Sequence, residues 1–412
     1  MMKDLIEVNE LPENPKKGAT YNICNTNVAY LTHSFFKYPC KYIPQIPSWA
    51  IKKYAKSNSV ILDPFCGSGT TLVEASLGGH KGLGVEIDKF GQMLTMVKTT
   101  KVSDDFSDKI SDFRKKVVNL DNYKKEKRPL INNFDLWFSK ENAITLSKLN
   151  YLIDKTKNDP ELCNFLKVCF ASVIRKASNA DEVSPKPYIS KKYEKKKREI
   201  SDEFLAILDK NLVKMIETSK KLSGVCQIVG GDARDFIVSE KVDLVVTSPP
   251  YINAFDYVRT LRLENLWLGL QTENELREIK KYHIGTESVK NDLDLKNIDF
   301  ITKDIEKIFK LIYKKDKKRA FVVLSYFEAM KKNISTVKNN LKKGGYYVIV
   351  VGNSTIRGID VETHKILIDI ATNLGFNNDL TFSYIIKNRY LRIPRNGRGG
   401  FIKKDWIICL KK

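Results

Sequence analysis

Residues 59 to 75 read SVILDPFCGSGTTLVEA: a short apolar run, a glycine-rich turn, then a helical pattern opening at Thr70 or Thr71. That order predicts a strand, a loop and a helix N-terminus. Gly67 and Gly69 let the backbone approach a ligand closely, and the free N–H groups of the helix start favour a negative group. The GxxxxGK[ST] spacing of a phosphate-binding loop is absent. One helix later, HKGLGVEID (80 to 88) sets Glu86 at the end of a second apolar strand, where an acid can accept both hydroxyls of a ribose.

Asp63-Pro64-Phe65-Cys66-Gly67-Ser68-Gly69-Thr70-Thr71, followed by Glu86-Ile87-Asp88, resembles the cofactor half of the class I S-adenosylmethionine-dependent amino-methyltransferases of DNA. The resemblance implies that the Gly67 to Gly69 turn lies against the methionine part of S-adenosylmethionine. Glu86 would hold the ribose, Ile87 would pack on the adenine, and Asp63 would orient the turn; Pro64, Phe65, Ser68 and Thr70 belong to the same cradle. The upstream stretch LTHSFFKYPCKYIPQIPSWAI (31 to 51) is similar to the segment that closes over the methionine end, which makes Thr32 a candidate contact and His33 and Pro44 looser ones. In CQIVGGDARDF (226 to 236), Asp232 stands where the family places an acid near the adenine amino group.

The second motif ends a buried strand. In DLVVTSPPYIN (243 to 253) three apolar residues and a threonine run into Ser248, Pro249, Pro250 and Tyr251, which fits the family tetrapeptide (D/N/S)-P-P-(Y/F/W). A cytosine or adenine amino group is a poor nucleophile because its lone pair is delocalised into the ring. The Ser248 hydroxyl and the Pro249 carbonyl can accept its two N–H bonds and favour a pyramidal nitrogen. Such positioning and polarisation lower a barrier without a covalent intermediate. Tyr251 supplies an aromatic face for a base rotated out of the duplex. In the family a serine at the head of the tetrapeptide goes with cytosine and an aspartate with adenine, so the expected product is N4-methylcytosine. The hydroxyl alone does not exclude adenine, since cytosine N3 and adenine N1 are both acceptors. After the tetrapeptide, Asn253, Asp256, Arg259 and Glu264 are candidates near the pocket, with helix-surface ion pairs as the competing reading.

Around these motifs the chain is 412 residues long, enough for one large domain with insertions. Its 71 Lys and Arg against 49 Asp and Glu leave a net charge of +22, which points to a polyanionic partner. The seven cysteines are scattered, without CxxC, and read as reduced thiols; four histidines are too few for a zinc site, and no metal is expected. No apolar run reaches the roughly 20 residues that span a bilayer, and the start has no apolar signal core. The expectation is a cytoplasmic, nucleoid-associated protein acting on double-stranded DNA, beside a cognate restriction endonuclease acting separately, with no membrane partner.

The expected fold is α/β: a doubly wound, mostly parallel, seven-stranded Rossmann-like methyltransferase sheet. Its strands fall near residues 59–63, 82–87, 226–229, 242–247, 346–351, 379–386 and 405–410, the last two forming an antiparallel pair. Gly344-Gly345 is expected to end a helix before the fifth strand. Residues 1–98 would carry the closing segment and cofactor half, 99–224 a helical insertion, and 225–412 the catalytic half. Phe106, Ile110, Phe113 and Val117, then Phe204, Leu208, Leu212 and Met215, recur at helical spacing in the insertion. Within it, Tyr188, Lys191, Lys192, Tyr193, Lys195, Lys196, Lys197 and Arg198 form a basic, aromatic stretch nominated for target recognition, against the alternative of a solvated face. RYLRIPRNGRGGFIKK (389 to 404) is a second basic loop.

Three other functions compete. A C5-cytosine methyltransferase needs a nucleophilic cysteine, and Pro39-Cys40 is a Pro-Cys pair, but it precedes the cofactor loop instead of ending the strand that Ser248 ends. An RNA base methyltransferase would suit the same charge, although no separate RNA-binding module is recognisable. A catalytically silent nucleic-acid-binding subunit would not need the intact cofactor and tetrapeptide residues.

Overall fold

The computed structural model describes residues 5–24, 27–182, 184, 186–190, 195, 197–252, 256–287, 298–387 and 402–412. Its strands, in chain order, are β1 Leu5–Val8, β2 Thr20–Ile23, β3 Val60–Asp63, β4 Lys81–Val85, β5 Cys226–Gly230, β6 Val242–Thr247, β7 Leu341–Gly352, β8 Ser354–Ile356, β9 Ile359–Val361, β10 Asn377–Ile385 and β11 Lys404–Lys411. Strands β8 and β9 form a small hairpin, and the others make one sheet in the order β1-β2-β10-β11-β7-β6-β3-β4-β5. Neighbours are parallel except around β11, which runs against both β7 and β10.

All seven expected strands are in this sheet, but it has nine. The two additions, LIEV and TYNI, are four residues each, too short for a periodic signal, and β2 joins the β10 edge through two register pairs, Thr20 with Ser383 and Tyr21 with Tyr384. Thus part of the segment assigned to the cofactor half completes the opposite edge of the sheet. A second correction concerns Gly344. The helix Lys317–Asn340 ends before the glycines, and Gly344, at φ +78°, lies inside β7 where pairing with β6 skips from Leu341 to Tyr346. The glycine serves a strand irregularity, not a helix cap.

Alternation along the central strands sorts their side chains to two faces. Ile61, Leu244, Val246, Val348 and Val350 pack under the helix Gln45–Tyr54 with Trp49 and Ala50. Leu62, Val245, Ile349 and Val351 pack under helices Lys303–Tyr313, Lys317–Asn340 and Thr363–Asn373. Burial on both faces explains the unbroken apolar runs of β6 and β7. Strand order departs in both directions from the β3/β6 pair, so the carboxyl ends of those strands open the crevice where doubly wound sheets bind ligands.

The expected insertion is helical: Phe106–Val118, Lys140–Asp154, Pro160–Ala177 and Ile200–Lys221. It is not a separate unit. Its apolar stripes share one core with Phe35, Tyr38, Phe90 and Leu94 from before residue 99, and with Val258, Leu261, Leu266 and Trp267 from after the tetrapeptide. Phe165 sits edge-on to both Phe35 and Phe106, at centroid distances of 6.0 and 5.2 Å. Phe165→Ala is therefore expected to lower the whole molecule's unfolding free energy by about 3–5 kcal/mol, in a single denaturant transition. Two transitions, with only one shifted, would show that the insertion folds independently.

Candidate functional site

At the β3/β6 split, Asp63 ends β3 and is 1% exposed. Thr71 and Thr247 each donate a hydroxyl to it at 2.5 Å, and the Phe65 N–H donates at 3.0 Å. Burial pushes its carboxyl up to about 6 against the pull of those three donors. The turn that follows needs its glycines: Gly67 and Gly69 stand at φ +51° and +75°, and a Cβ on Gly69 would meet the Thr95 side chain at 2.8 Å. Glu86, just beyond β4, accepts from the Gly67 N–H and the Asp88 N–H, both at 2.8 Å. Its carboxyl is pushed up to about 7, first by burial and then by the neighbouring Asp88 carboxylate. Asp88 in turn caps the helix Lys89–Lys98 through the Gly91 N–H and receives the Asn265 amide at 3.0 Å.

These elements enclose a cleft of about 800 Å³, counted out to its open mouth. Of the expected residues, Pro64, Phe65, Gly67, Ser68, Thr70, Glu86, Ile87, Asp232, Ser248 and Pro250 line it. The structure thus brings the glycine turn and the tetrapeptide to one cavity although some 180 residues separate them. The Ser248 hydroxyl has no hydrogen-bond partner among the described residues. The Ser68 hydroxyl, also in the wall, is buried without one.

Several expected residues stand elsewhere. Asp63 and Gly69 shape the turn from behind and do not line the cleft. Thr32 is fully buried and donates to the Lys98 carbonyl, a packing role. His33 bonds Glu74 at 2.8 Å, and burial lowers it to about 4. Pro44 precedes the helix Gln45–Tyr54. Pro249 and Tyr251 lie outside the cleft wall. Asp232 lines it, but Arg234 grips its carboxylate at 2.6 to 3.2 Å. Asp256 caps the short helix Tyr257–Thr260 through the Arg259 N–H and pairs with Lys280 at 2.7 Å. Glu264 is 3% exposed in the insertion's core, pushed up to about 7 by burial.

Two cations of the basic stretch, Lys195 and Arg198, are engaged within the protein. The Lys195 ammonium donates to the carbonyls of Arg175, Ser178 and Ala180 at 2.7, 2.7 and 3.2 Å, capping the end of the helix Pro160–Ala177, and lies 3.3 Å from Glu182. Arg198 pairs with Glu182 at 3.2 Å. Lys197 and Tyr188 are exposed. Lys191, Lys192, Tyr193, Lys196 and Asn253, and most of the loop 389–404, fall outside the described residues.

Sequence reasoning missed two walls of the cleft. Tyr38 to Tyr42 form one, with Pro39-Cys40 among them, and Tyr257, Tyr282, His283 and Ile284 form another. The His283 Nε2 is buried and unpartnered among the described residues, and burial holds the ring neutral, down to about 4. Only the first wall had a signal, its place in the closing segment.

Comparisons with known proteins point to DNA methylases. The DNA methylase family N6_N4_Mtase matches residues 7–96, which contain the whole turn and Glu86. The chain is similar to the type II methyltransferase M.MvaI of Kocuria varians, 28% identical over 397 residues, covering 90% of this chain and 87% of that one. It is 24% identical over 397 residues to the type II methyltransferase M.AvaI of a Nostoc species, covering 84% and 79%. A solved S-adenosylmethionine-dependent methyltransferase from Methanosarcina mazei covers 88% of this chain and 96% of its own at 10% identity, with a TM-score of 0.31, too slight a likeness to carry an argument.

The cleft fits S-adenosylmethionine. Glu86 offers second lone pairs to a ribose diol, Ile87 and Phe65 offer apolar surface, and the unpartnered Ser68 hydroxyl, the Thr70 helix start and Lys41 offer donors to an amino-acid end. Hydroxyl donors favour the ionised carboxylate, so binding pulls Glu86 below about 7. Cofactor affinity is therefore expected to rise as pH climbs towards about 7 and then level off. Glu86→Gln flattens that profile, and Glu86→Ala weakens binding by about 1.5–3 kcal/mol. Calorimetry with S-adenosylhomocysteine checks both; an unchanged profile in Glu86→Gln removes Glu86 from the ribose.

Proposed function

We propose that this protein is a site-specific DNA methyltransferase that moves a methyl group from S-adenosylmethionine to the exocyclic N4 of a cytosine extruded from double-stranded DNA, in the manner of restriction–modification methyltransferases. The observation that carries it is the unpartnered Ser248 hydroxyl in the wall of the cleft that also holds the Gly67 turn and Glu86. The matching DNA methylase family and the type II relatives support DNA methylation. The choice of cytosine rests on the serine at position 248.

The bound cofactor supplies an electrophilic methyl group on a sulfonium. Everything else is positioning. Glu86 and the Gly67 turn fix the donor's adenosine and orient its sulfonium end. The Ser248 Oγ and the Pro249 carbonyl accept the amino group's hydrogens, drawing its lone pair out of conjugation. Proline at 249 and 250 removes competing N–H donors and stiffens the turn. Tyr251 stands outside the cleft wall, and its role on this reading is to meet the ring of a base that enters beside Ser248 and Pro250, a contact worth about 1–3 kcal/mol. A cleft lined by Phe65, Ile87 and Tyr257 keeps water from the reacting atoms.

Cys40 also lines the cleft, which keeps C5 chemistry among the outcomes to be distinguished. Mass spectrometry of nucleosides from unmethylated genomic DNA treated with the protein and methyl-labelled cofactor decides the product. Label in N4-methylcytosine is expected; label in N6-methyladenine or 5-methylcytosine overturns the assigned base or atom, and label only in RNA overturns the substrate. Ser248→Ala should abolish most of the label while leaving cofactor affinity within about twofold.

Duplex binding should weaken steeply with salt, by about 0.9 logarithmic units per phosphate contact for each tenfold rise in salt concentration. Lys197→Ala is expected to flatten the slope by about one contact. Lys195→Met should leave the slope unchanged and instead lower the melting temperature, because Lys195 is committed to helix-end carbonyls.

A further inference from the structure

The tyrosine of the tetrapeptide is tied to the far end of the chain. Tyr251 donates its phenolic hydrogen to Oδ1 of Asp405 at 2.7 Å, and Tyr384 donates to Oδ2 at 3.0 Å. Asp405 is the second residue of β11, in register with Gly352 of β7 and Tyr384 of β10. Because β11 alone runs against its neighbours, its first residues lie at the edge where β6 ends, beside the tetrapeptide. A Cβ on Gly352 would stand 3.1 Å from the Asp405 Oδ1, so the glycine leaves room for the carboxylate.

Asp405 is 4% exposed, and no cation lies within ion-pair distance of it among the described residues. Burial pushes its carboxyl up to about 6, against the pull of the two phenols. A lone buried acid is a costly way to fill a sheet edge, where an apolar side chain would be cheaper. What the carboxylate supplies and an apolar group cannot is a fixed anchor for both phenolic hydroxyls. An untethered tyrosine samples several staggered rotamers. A tethered one presents its ring already oriented, so that no ordering remains to be done when a base arrives.

We propose that Asp405 is a positioning residue that, together with Tyr384, sets the orientation of the Tyr251 ring against the extruded base. This role rests on the methyl transfer proposed above. Asp405 touches neither the cofactor cleft nor the reacting atoms; it acts through Tyr251.

The test is transfer of tritiated methyl from S-adenosylmethionine to unmethylated genomic DNA by the full chain and by Tyr251→Phe, Asp405→Asn and the double variant. Tyr251→Phe keeps the ring and the packing and loses only the tether. Each single variant is expected to lower kcat by about tenfold or more, with S-adenosylhomocysteine affinity within about twofold of wild type. The double variant should be no worse than the weaker single, since both remove one interaction. Tyr251→Phe with wild-type kcat overturns the role even where Asp405→Asn fails to fold. So do additive losses in the double variant, or a matching loss of cofactor affinity, which would mark a general structural effect. Wild-type protein that leaves DNA unlabelled overturns the methyl-transfer reading, and this role with it.

Discussion

Everything at the candidate site hangs on the hydrogen bonds that converge on Asp63. Thr71 from the helix Thr70–Leu77, Thr247 from the end of β6 and the Phe65 amide all donate to one buried carboxylate. The first fixes the helix start, the second joins the two strands at which the sheet order reverses, and the third bends the chain into the glycine turn. Tyr42, in the cleft wall, bonds the Thr71 hydroxyl in turn. A carboxylate without a cation is held here by donors that belong to three different elements, so any of them that drifts leaves an acid unsatisfied at a cost of roughly 1–3 kcal/mol. Ser248 directly follows Thr247, and the tetrapeptide inherits its register from this brace.

The same economy explains why the insertion cannot be detached from the site. Asn265, which follows the tetrapeptide, reaches the Asp88 carboxylate beside Glu86, while Trp267 two residues later is enclosed by Phe138 and Phe170 of the insertion. Asn150 donates to the Trp267 carbonyl as well. The helix Arg262–Trp267 therefore reaches the Asp88 side of the cleft through Asn265 and is held by the insertion through Trp267. A protein surface outside the sheet is mechanically continuous with the residues around the cleft.

How much of this could be read from the sequence follows from how local each feature is. The strand, turn and helix around Gly67 are contiguous, and the requirement for positive φ leaves glycines as its mark, so the turn and the acid that braces it, Glu86, are legible. The tetrapeptide was legible for the same reason. The Tyr38 to Tyr42 wall was signalled only by its place in the closing segment, and the Tyr282 to Ile284 wall reaches the cleft through tertiary packing that no local pattern marks. Lys195 looked like its neighbours in a run of cations, because nothing in the run reveals that one ammonium turns inward to three carbonyls at the end of a helix. Strands β1 and β2 are too short for alternation to register, and a Gly-Gly pair after a helical run reads as a helix end although the left-handed backbone at Gly344 suits a bulged strand as well.

The pairing of Asp232 with Arg234 bears on how an adenine would be recognised. The planar guanidinium donates to both carboxylate oxygens and the Arg234 N–H donates to Oδ1 as well, at 2.9 Å, so it is Oδ2 that keeps an outer lone pair. The pair is partly exposed, with side-chain exposures of 26% for Arg234 and 37% for Asp232, so its own attraction is screened and worth no more than about 1 kcal/mol. The carboxylate remains an acceptor while Arg234 fixes its plane and holds its pKa below the usual range. An adenine amino group approaching the outer lone pair of Oδ2 would meet an acid that is ionised and already oriented. If Asp232 takes the place near the cofactor's adenine that the resemblance implies, the arginine sharpens the acid as an acceptor instead of competing for it.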